Sequence, residues 1–345
     1  MSNGILLSEG FLWLELMKIY LNLKKSLDTK YSTLKSFEFS SGEVLDNLNV
    51  EYLTIGNKLT NDNDEIINAI VYFHGLGENC LSIKHIHEII GEGKVLDTNK
   101  YFIISITALG SPNSFSPSIS GLGSKFPRYN INDMINFQKE FLESEFNIKH
   151  VKGLIGNSMG GSEALMWGSL YPFYMDFIIS LVSSYKISGN NYILFSLINQ
   201  IIKSDSNYNN GDYKEPLKSI GIANQLFYPF GFSVEYYRNN DINVINKELN
   251  TLKDNFKGYD GNDVILRGDA TSNYNIEKDL SKIIAKTLIV AINQDQLFPP
   301  SLDAIPMSKM IKNSKLVIYD SIFGHLGVNE IIKIENELKN FLNKF

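Results

Sequence analysis

Residues 151–161, with the sequence VKGLIGNSMGG, decide the fold of this chain. The first five residues form a short apolar run typical of a buried strand, and a helical pattern begins at Gly161. Between them, Gly156-Asn157-Ser158-Met159-Gly160 has the glycine–serine–glycine spacing of a nucleophile elbow. Such a turn strains the backbone of the central serine, requires small neighbours, and exposes the hydroxyl group at the carboxyl edge of a sheet. The stretch therefore predicts a strand–turn–helix unit with Ser158 as a nucleophile.

The same pattern of short apolar runs and helices extends in both directions along the chain. Runs that do not alternate with polar residues are typical of parallel strands covered on both faces. Helical patterns between them indicate crossover connections, so we predict an α/β fold with a mostly parallel central sheet flanked by helices. The predicted strands are residues 69–73, 101–105, 151–155, 287–291 and 315–319, and the helices are 131–146, 161–170 and 329–345.

The alternation stops between residues 183 and 280, where the sequence is rich in Asn, Tyr, Lys and Phe. Helical patterns occur at 192–202 and 242–255, but no run suggests a buried strand. We predict a helical lid over residues 183–280. The core then comprises residues 1–182 and 281–345, with residues 1–35 as an N-terminal helical extension.

A serine nucleophile requires a base and an acid, and the chain has five histidines. His325 follows the last predicted strand and Asp295 follows the strand before it, which gives the chain order serine, acid, histidine. Asp303 and Asp320 are weaker candidates for the acid. The pair His85 and His87 has no cysteine nearby, so we interpret it as a solvated helix face and not as a metal site.

An oxyanion hole needs two backbone N–H groups that point at one position. Met159, directly after the nucleophile, is predicted to supply one of them. The glycine-rich loop His74-Gly75-Leu76-Gly77 follows the strand that ends at Phe73, and Leu76 is predicted to supply the other.

Composition excludes several classes of protein. The net charge is -6, from 32 Lys and Arg against 38 Asp and Glu, and no basic patch suggests a nucleic-acid partner. A single cysteine, Cys80, cannot form an internal disulfide or anchor a metal site. The N-terminal apolar residues are interrupted by Glu9 and Glu15, so neither a leader nor a membrane span is expected, and we predict a cytoplasmic protein. No motif for a cofactor is present.

In several ordered blocks the sequence resembles the homoserine O-acetyltransferase family of α/β-hydrolase-fold enzymes. The resemblance covers residues 37–345 and implies the α/β-hydrolase fold, catalytic roles for Ser158, Asp295 and His325, and a homodimer formed through the lid. The matching blocks are FEFSSGEVL at 37–45, KVLDTNKYF at 94–102, FP at 126–127 with INDM at 131–134, GNSMGG at 156–161, RGDATSNY at 267–274, QDQLFPP at 294–300 and FGH at 323–325.

The sequence departs from that family at two positions expected to contact an amino-acid substrate. Leu326 stands where the family has an aspartate for the substrate amino group. Asn199 aligns with the family's arginine for the carboxylate, and Arg238 and Arg267 are alternative carboxylate contacts. Loss of both charges removes the groups that would hold homoserine.

Three functions follow from these residues. We favour hydrolysis of a small uncharged ester or thioester through an acyl-enzyme. The first alternative is an O-acyltransferase that uses acyl-coenzyme A as a substrate and an alcohol other than homoserine. The second is an inactive binding protein with the same fold.

Overall fold

All five apolar runs lie in one eight-stranded sheet of the computed structural model, which describes residues 27–345. The strand order is β1-β2-β4-β3-β5-β6-β7-β8. β1 and β2 form an antiparallel hairpin, and β2 also runs antiparallel to β4. The remaining pairs are parallel. The strands are β1 Lys30–Glu38, β2 Val44–Ile55, β3 Ala69–Phe73, β4 Phe102–Ile106, β5 Val151–Asn157, β6 Met175–Leu181, β7 Lys286–Ile292 and β8 Ser314–Tyr319.

Helices cover both faces of the sheet, as the non-alternating apolar strands require. In β3, Val71 and Phe73 pack into the hydrophobic core on one face, while Ile70 and Tyr72 pack into the core on the other. The α-helices are α1 Pro117–Ser120, α2 Ile131–Phe146, α3 Met159–Leu170, α4 Gly189–Lys203, α5 Ser219–Gln225, α6 Tyr228–Gly231, α7 Val234–Asn239, α8 Ile242–Asp254, α9 Gly261–Ser272, α10 Ala304–Met310 and α11 Glu335–Leu342. Two longer 3-10 segments are Cys80–Ile89 and Gly324–Ile334.

Parallel strands bring the segments that follow them to a common edge of the sheet. Phe73 of β3 pairs with Gly156 of β5, and Ile292 of β7 pairs with Tyr319 of β8. The loops that follow β3, β5, β7 and β8 therefore emerge at the same carboxyl edge. These loops carry Leu76, Ser158, Asp295 and His325, respectively.

Helices α4 to α9 all lie between β6 and β7. They enclose a separate hydrophobic cluster that also includes Leu297 and Phe298 from the loop after β7. Where this helical segment leaves and rejoins the core, Lys186 and Asn275 form an antiparallel bridge. The helical segment therefore packs directly on the loop that carries Asp295.

Several elements differ from the sequence predictions. Residues 30–35 belong to β1 and not to a helical extension, and residues 1–26 of that extension lie outside the described residues. β2 and β6 are not among the five predicted strands. The C-terminal stretch is divided between the 3-10 segment Gly324–Ile334 and helix α11. No helix within residues 27–345 is long and apolar enough to cross a bilayer.

Candidate active site

Ser158 occupies the turn between β5 and α3 with φ 56° and ψ -120°. Its backbone N–H donates to Leu181 O at 2.9 Å, which anchors the turn on β6. A Cβ atom on Gly156 would lie 2.1 Å from Gly160 O, and one on Gly160 would lie 2.2 Å from Phe73 O. Both glycines are therefore required by close backbone contacts, which accounts for the elbow sequence.

The structure brings Ser158, His325 and Asp295 into one hydrogen-bonded chain. His325 Nε2 lies 2.9 Å from Ser158 Oγ, and His325 Nδ1 lies 2.8 Å from Asp295 Oδ2. The carboxylate of Asp295 is nearly inaccessible to solvent. Because Asp295 accepts a hydrogen bond from Nδ1–H, the proton of the neutral ring stays on Nδ1 and His325 Nε2 is free to accept the proton of the serine hydroxyl group.

The loop after β7 fixes the orientation of the Asp295 carboxylate. Asp295 Oδ1 accepts hydrogen bonds from the backbone N–H groups of Leu297 at 2.8 Å and Phe298 at 3.0 Å. The ring of Phe298 also contacts the imidazole of His325, with its centroid 5.5 Å away. Both acid and base are thus oriented by the same short loop.

The two weaker candidates for the acid are engaged elsewhere. Asp303 accepts a hydrogen bond from the Ser184 hydroxyl group, and burial raises the pKa of its carboxyl group to about 6. Asp320 is exposed and accepts from the side-chain amides of Asn293 and Gln294 at 2.8 and 3.0 Å. These two hydrogen bonds lower the pKa of Asp320. Neither carboxylate is hydrogen-bonded to His325.

The loop after β3 lies against the nucleophile. A Cβ atom on Gly75 would lie 3.6 Å from Ser158 Cβ, and both Leu76 and Met159 line the cavity above Ser158. Within residues 27–345, neither the Leu76 nor the Met159 backbone N–H donates a hydrogen bond to another group. Both amides are therefore available for an oxyanion.

His74, at the start of this loop, is buried and neutral. Burial lowers its pKa to about 4. The backbone N–H of Ala108 donates to His74 Nε2 at 2.9 Å, so Nδ1 carries the proton and donates to Gly75 O at 2.8 Å. His74 therefore stabilises the start of this loop through its two hydrogen bonds and is not part of the hydrogen-bonded chain of Ser158, His325 and Asp295.

A cavity of about 560 Å³ opens above Ser158 beneath the helical segment. Its volume is within the range of pockets that enclose a drug-sized molecule. The lining is mainly apolar and is rich in phenylalanine from α4, α6 and the loops that follow. The principal apolar residues are Leu76, Ile187, Phe195, Phe227, Phe230, Phe232, Val244, Leu252, Leu297, Phe298, Leu326 and Val328.

One ion pair in the cavity wall was not predicted from the sequence. His85 Nε2 lies 2.6 Å from Glu78 Oε1, and His85 Nδ1 lies 2.7 Å from Asn329 Oδ1. The solvated helix face predicted for His85 is therefore wrong, because the ring is largely buried and both nitrogens have partners. Within the part of the chain that the structure describes, no group of three or more His, Cys, Asp or Glu side chains could hold a metal ion.

The charges of this pair depend on each other. Burial is the largest single effect on both side chains and opposes their ionisation. The Coulomb attraction and the hydrogen bond between them, with smaller contributions from neighbouring groups, together outweigh burial, so the pKa of Glu78 is lowered to about 2 and the pKa of His85 is raised. Glu78 and His85 therefore each favour the charged form of the other.

Of the four residues predicted to bind substrate, only Leu326 lines the cavity. Asn199 is buried between α4 and α9, where its Nδ2 donates to Asp269 Oδ1 at 2.6 Å. Phe195, one helical turn earlier on α4, lines the cavity instead. Arg267 is buried and donates to Gly110 O at 3.1 Å, and Arg238 is exposed near the end of α7. The substrate roles predicted for Asn199, Arg238 and Arg267 are not supported by these positions.

Known proteins resemble this chain in sequence and in fold. Residues 68–327 match a family model described as the alpha/beta hydrolase fold. The chain is 39% identical over 320 residues to a probable acyltransferase from Methanothermobacter thermautotrophicus, across 93% of this chain and 99% of that protein. It is 29% identical over 360 residues to a homoserine O-acetyltransferase from Methanohalophilus mahii, across 92% of this chain and 72% of that protein. The solved structure of an acetylester hydrolase from Corynebacterium glutamicum superposes on this chain with a TM-score of 0.80 and 24% sequence identity, and the match covers 92% of this chain and 96% of that one.

Proposed function

The chain belongs to the α/β-hydrolase fold family and is an enzyme of acyl transfer or ester hydrolysis, and from this premise we propose that it hydrolyses uncharged esters or thioesters through a Ser158 acyl-enzyme. The observation that carries the proposal is the hydrogen-bonded chain from Ser158 Oγ through His325 to Asp295. Membership of an enzyme family argues against the inactive binding protein considered from the sequence.

The proposed reaction has two steps that use the same residues. Ser158 Oγ attacks the ester carbonyl carbon while His325 Nε2 accepts its proton, and the leaving alcohol departs with that proton. The Leu76 and Met159 backbone N–H groups stabilise the negative charge that develops on the carbonyl oxygen. Water then attacks the acyl-enzyme, with His325 again as the base, and restores Ser158.

The charged groups that line the cavity support an uncharged substrate. Glu78 and His85 neutralise each other. Glu248 accepts hydrogen bonds from the hydroxyl groups of Tyr228 and Tyr236. Leu326, next to the proposed base, adds an apolar side chain at the position where the related acetyltransferases have an aspartate. The Glu78–His85 pair and Leu326 therefore offer no unpaired charge for an amino-acid zwitterion, and the other charged side chains of the lining, Lys247 and Glu248, lie on α8.

The size of the cavity supports a substrate with an extended apolar group, and not only the small ester expected from the sequence. The phenylalanine side chains around it offer apolar contact well beyond the space that an acetyl group fills. Each methylene buried there is expected to contribute about 0.8 kcal/mol, which is about fourfold in kcat/KM.

Transfer of the acyl group to an alcohol is the second candidate. It is favoured by the 39% identity to a probable acyltransferase. In this case an alcohol other than homoserine takes the place of water, and acyl-coenzyme A serves as the acyl donor. The two candidates share every step up to the acyl-enzyme and differ only in what attacks it.

The deciding experiment measures products by mass. The protein is incubated with p-nitrophenyl esters from acetate to decanoate, and separately with acyl-coenzyme A, each with and without a panel of alcohols. We expect free acid as the main product and kcat/KM that increases with chain length over the first several methylenes. A main product acylated on the alcohol would assign the transferase reaction.

Ser158→Ala and a fluorophosphonate probe provide the control. The wild-type protein is expected to be labelled on Ser158 and the variant to be neither labelled nor active. A Ser158→Ala protein that retains wild-type hydrolysis would overturn the mechanism. A preference for acetate over longer esters would overturn the extended apolar substrate while leaving the mechanism intact.

A further inference from the structure

Three side chains connect two parts of the site that are distant in sequence. The Gly75 backbone N–H donates to Glu78 Oε2 at 3.0 Å, and Glu78 Oε1 is paired with His85 Nε2. On the opposite side of the ring, His85 Nδ1 faces Asn329 Oδ1. Asn329 in turn donates from Nδ2 to Leu326 O at 2.8 Å. The chain of bonds therefore begins beside Leu76 and ends in the turn directly after His325.

The hydrogen-bond pattern requires two protons on His85. Because Asn329 Nδ2 is committed to Leu326 O, the atom that faces the ring is the acceptor Oδ1. Glu78 is an acceptor as well, so both ring nitrogens must donate. A neutral imidazole has only one N–H group and would leave one of these two contacts unmade. Lys84, the other charged group acting on this ring, lowers the pKa of His85 but does not outweigh Glu78.

We propose that the His85 imidazolium is a positioning residue, which ties the loop carrying the Leu76 amide to the turn carrying His325. Glu78 and Asn329 are the two ends of this tie. By holding both ends, His85 sets the separation between the oxyanion donor and the base, although it touches neither Ser158 nor the reacting carbonyl group. The kinetic consequence rests on the proposed function, whereas the charge state of His85 does not.

A misplaced donor weakens binding of the transition state more than binding of the substrate. We therefore expect His85→Gln to lower kcat for a p-nitrophenyl ester by up to about 10²-fold, with KM within about twofold of wild type. Glu78→Gln is expected to act in the same direction. His87→Gln is the matched control, because His87 lies on the same 3-10 segment and, within residues 27–345, its side chain is hydrogen-bonded only to Lys84 O. The control is expected to retain wild-type kcat and KM.

A double variant tests whether His85 and Asn329 act as one unit or make independent contributions to kcat. If His85 and Asn329 act as one unit, His85→Gln combined with Asn329→Ala will lower kcat little further than His85→Gln alone. Additive losses, or a change confined to KM, would overturn the positioning role.

Nuclear magnetic resonance tests the protonation of His85 without relying on an activity measurement. In long-range ¹H–¹⁵N spectra at about pH 7.5, where free histidine is mostly neutral, the His85 imidazole is expected to carry protons on both nitrogens. That signal should be lost in His85→Gln and retained in His87→Gln. A neutral His85 in the wild-type protein would contradict the proposal. If the wild-type protein neither hydrolyses esters nor transfers their acyl groups, the proposed function fails. The spectrum still decides the protonation state of His85 in that case.

Discussion

Asp295 uses both carboxylate oxygens, one for His325 and one for the backbone N–H groups of Leu297 and Phe298. Asp295→Asn keeps the shape but presents an amide group to His325, so the imidazole is forced into the wrong tautomer. We expect kcat for ester hydrolysis to fall by about 10⁴-fold while the fold is retained. Steady-state kinetics and circular dichroism measure the two effects.

Asp320→Asn is the matched control for that variant, because Asp320 follows the neighbouring strand but bonds only amide side chains and is exposed. Its kcat is expected to stay within about twofold of wild type, as for most surface substitutions. A large loss of kcat in Asp320→Asn together with little loss in Asp295→Asn would assign the acid role to Asp320.

Leu326 is the one residue of the cavity wall where a single change introduces the charge that the related acetyltransferases have. Its backbone carbonyl oxygen is bonded to Asn329, so a new side chain leaves that contact intact. In Leu326→Asp the carboxylate can bind the amino group of homoserine, a charge-assisted contact worth about 1.5–3 kcal/mol. We expect the ratio of transfer to hydrolysis with homoserine to rise about tenfold or more. Leu326→Asn, which has no charge, should give a much smaller gain, and equal gains in both variants would refute the role of charge.

The residues of the site differ in how far the sequence could predict them. Ser158, Asp295 and His325 each follow a strand of one parallel sheet, so their proximity follows from strand order alone. His85 could not be placed in this way, because its partner Asn329 is 244 residues away and neither residue ends a strand. Asn199 was predicted to face the substrate, but its side chain bonds Asp269 of α9, and a contact between helices 70 residues apart cannot be deduced from the pattern of one helix.

At the scale of elements, α8 is attached far less firmly than α3. No residue of α8 is buried, whereas most of α3 is. Contacts of α8 include the hydrogen bond from Gln225 to Leu249 O at 2.9 Å and those from Tyr228 and Tyr236 to Glu248. We expect α8 amides to exchange hydrogen much faster than α3 amides, as measured by mass spectrometry.

Glu248→Ala tests which contact holds α8 in place. Loss of both tyrosine hydrogen bonds is expected to accelerate exchange in α8 several-fold and to leave α3 unchanged. Lys247→Ala, at the exposed neighbouring position, is the control and should leave both helices unchanged. If amide hydrogen exchange in α8 is equally slow in the wild type and in Glu248→Ala, the apolar contacts of Val244 and Leu252 are sufficient to hold α8 in place.

The sequence predicted most of the parallel strands but missed the antiparallel pair β1 and β2 and the parallel strand β6. β3, β4, β5, β7 and β8 are short β-branched runs, which are typical of strands covered on both faces. β1 is half exposed and its polar residues conceal the pattern, while β6 begins with Met175-Asp176 after a proline-containing turn and was therefore missed. The helical segment between β6 and β7 was predicted from the absence of such runs.

For the whole molecule, the buried Glu163 on α3 makes stability depend on pH. Burial raises the pKa of Glu163 to about 8 from 4.5, although a hydrogen bond from Gln138 opposes the shift. Between these two values the unfolded chain releases a proton that the folded protein keeps, so the free energy of unfolding falls as pH rises. The loss amounts to a few kcal/mol by about pH 8.

Glu163→Gln removes this dependence, because the amide does not ionise. We expect the Tm of the variant to exceed that of wild type by a few degrees at about pH 8, with the difference shrinking toward about pH 5. Thermal melts at several pH values measure it, with Glu92→Gln on an exposed loop as the control. A difference in Tm that is the same at every pH would show that Glu163 is ionised in the folded protein.

The lack of space for a Cβ atom between Gly160 and the carbonyl oxygen of Phe73 limits how this enzyme can diversify. Any side chain at Gly160 would collide with the end of β3, from which the loop with Leu76 departs. The distance between the two proposed oxyanion donors is thus set by main-chain atoms, and no substitution at position 160 can adjust it gradually. New substrate preferences are therefore expected from the rest of the cavity wall, so a mutant library for altered selectivity should keep residues 156–161 constant and vary Phe195 and Phe232 of the helical segment and Leu326 beside the base.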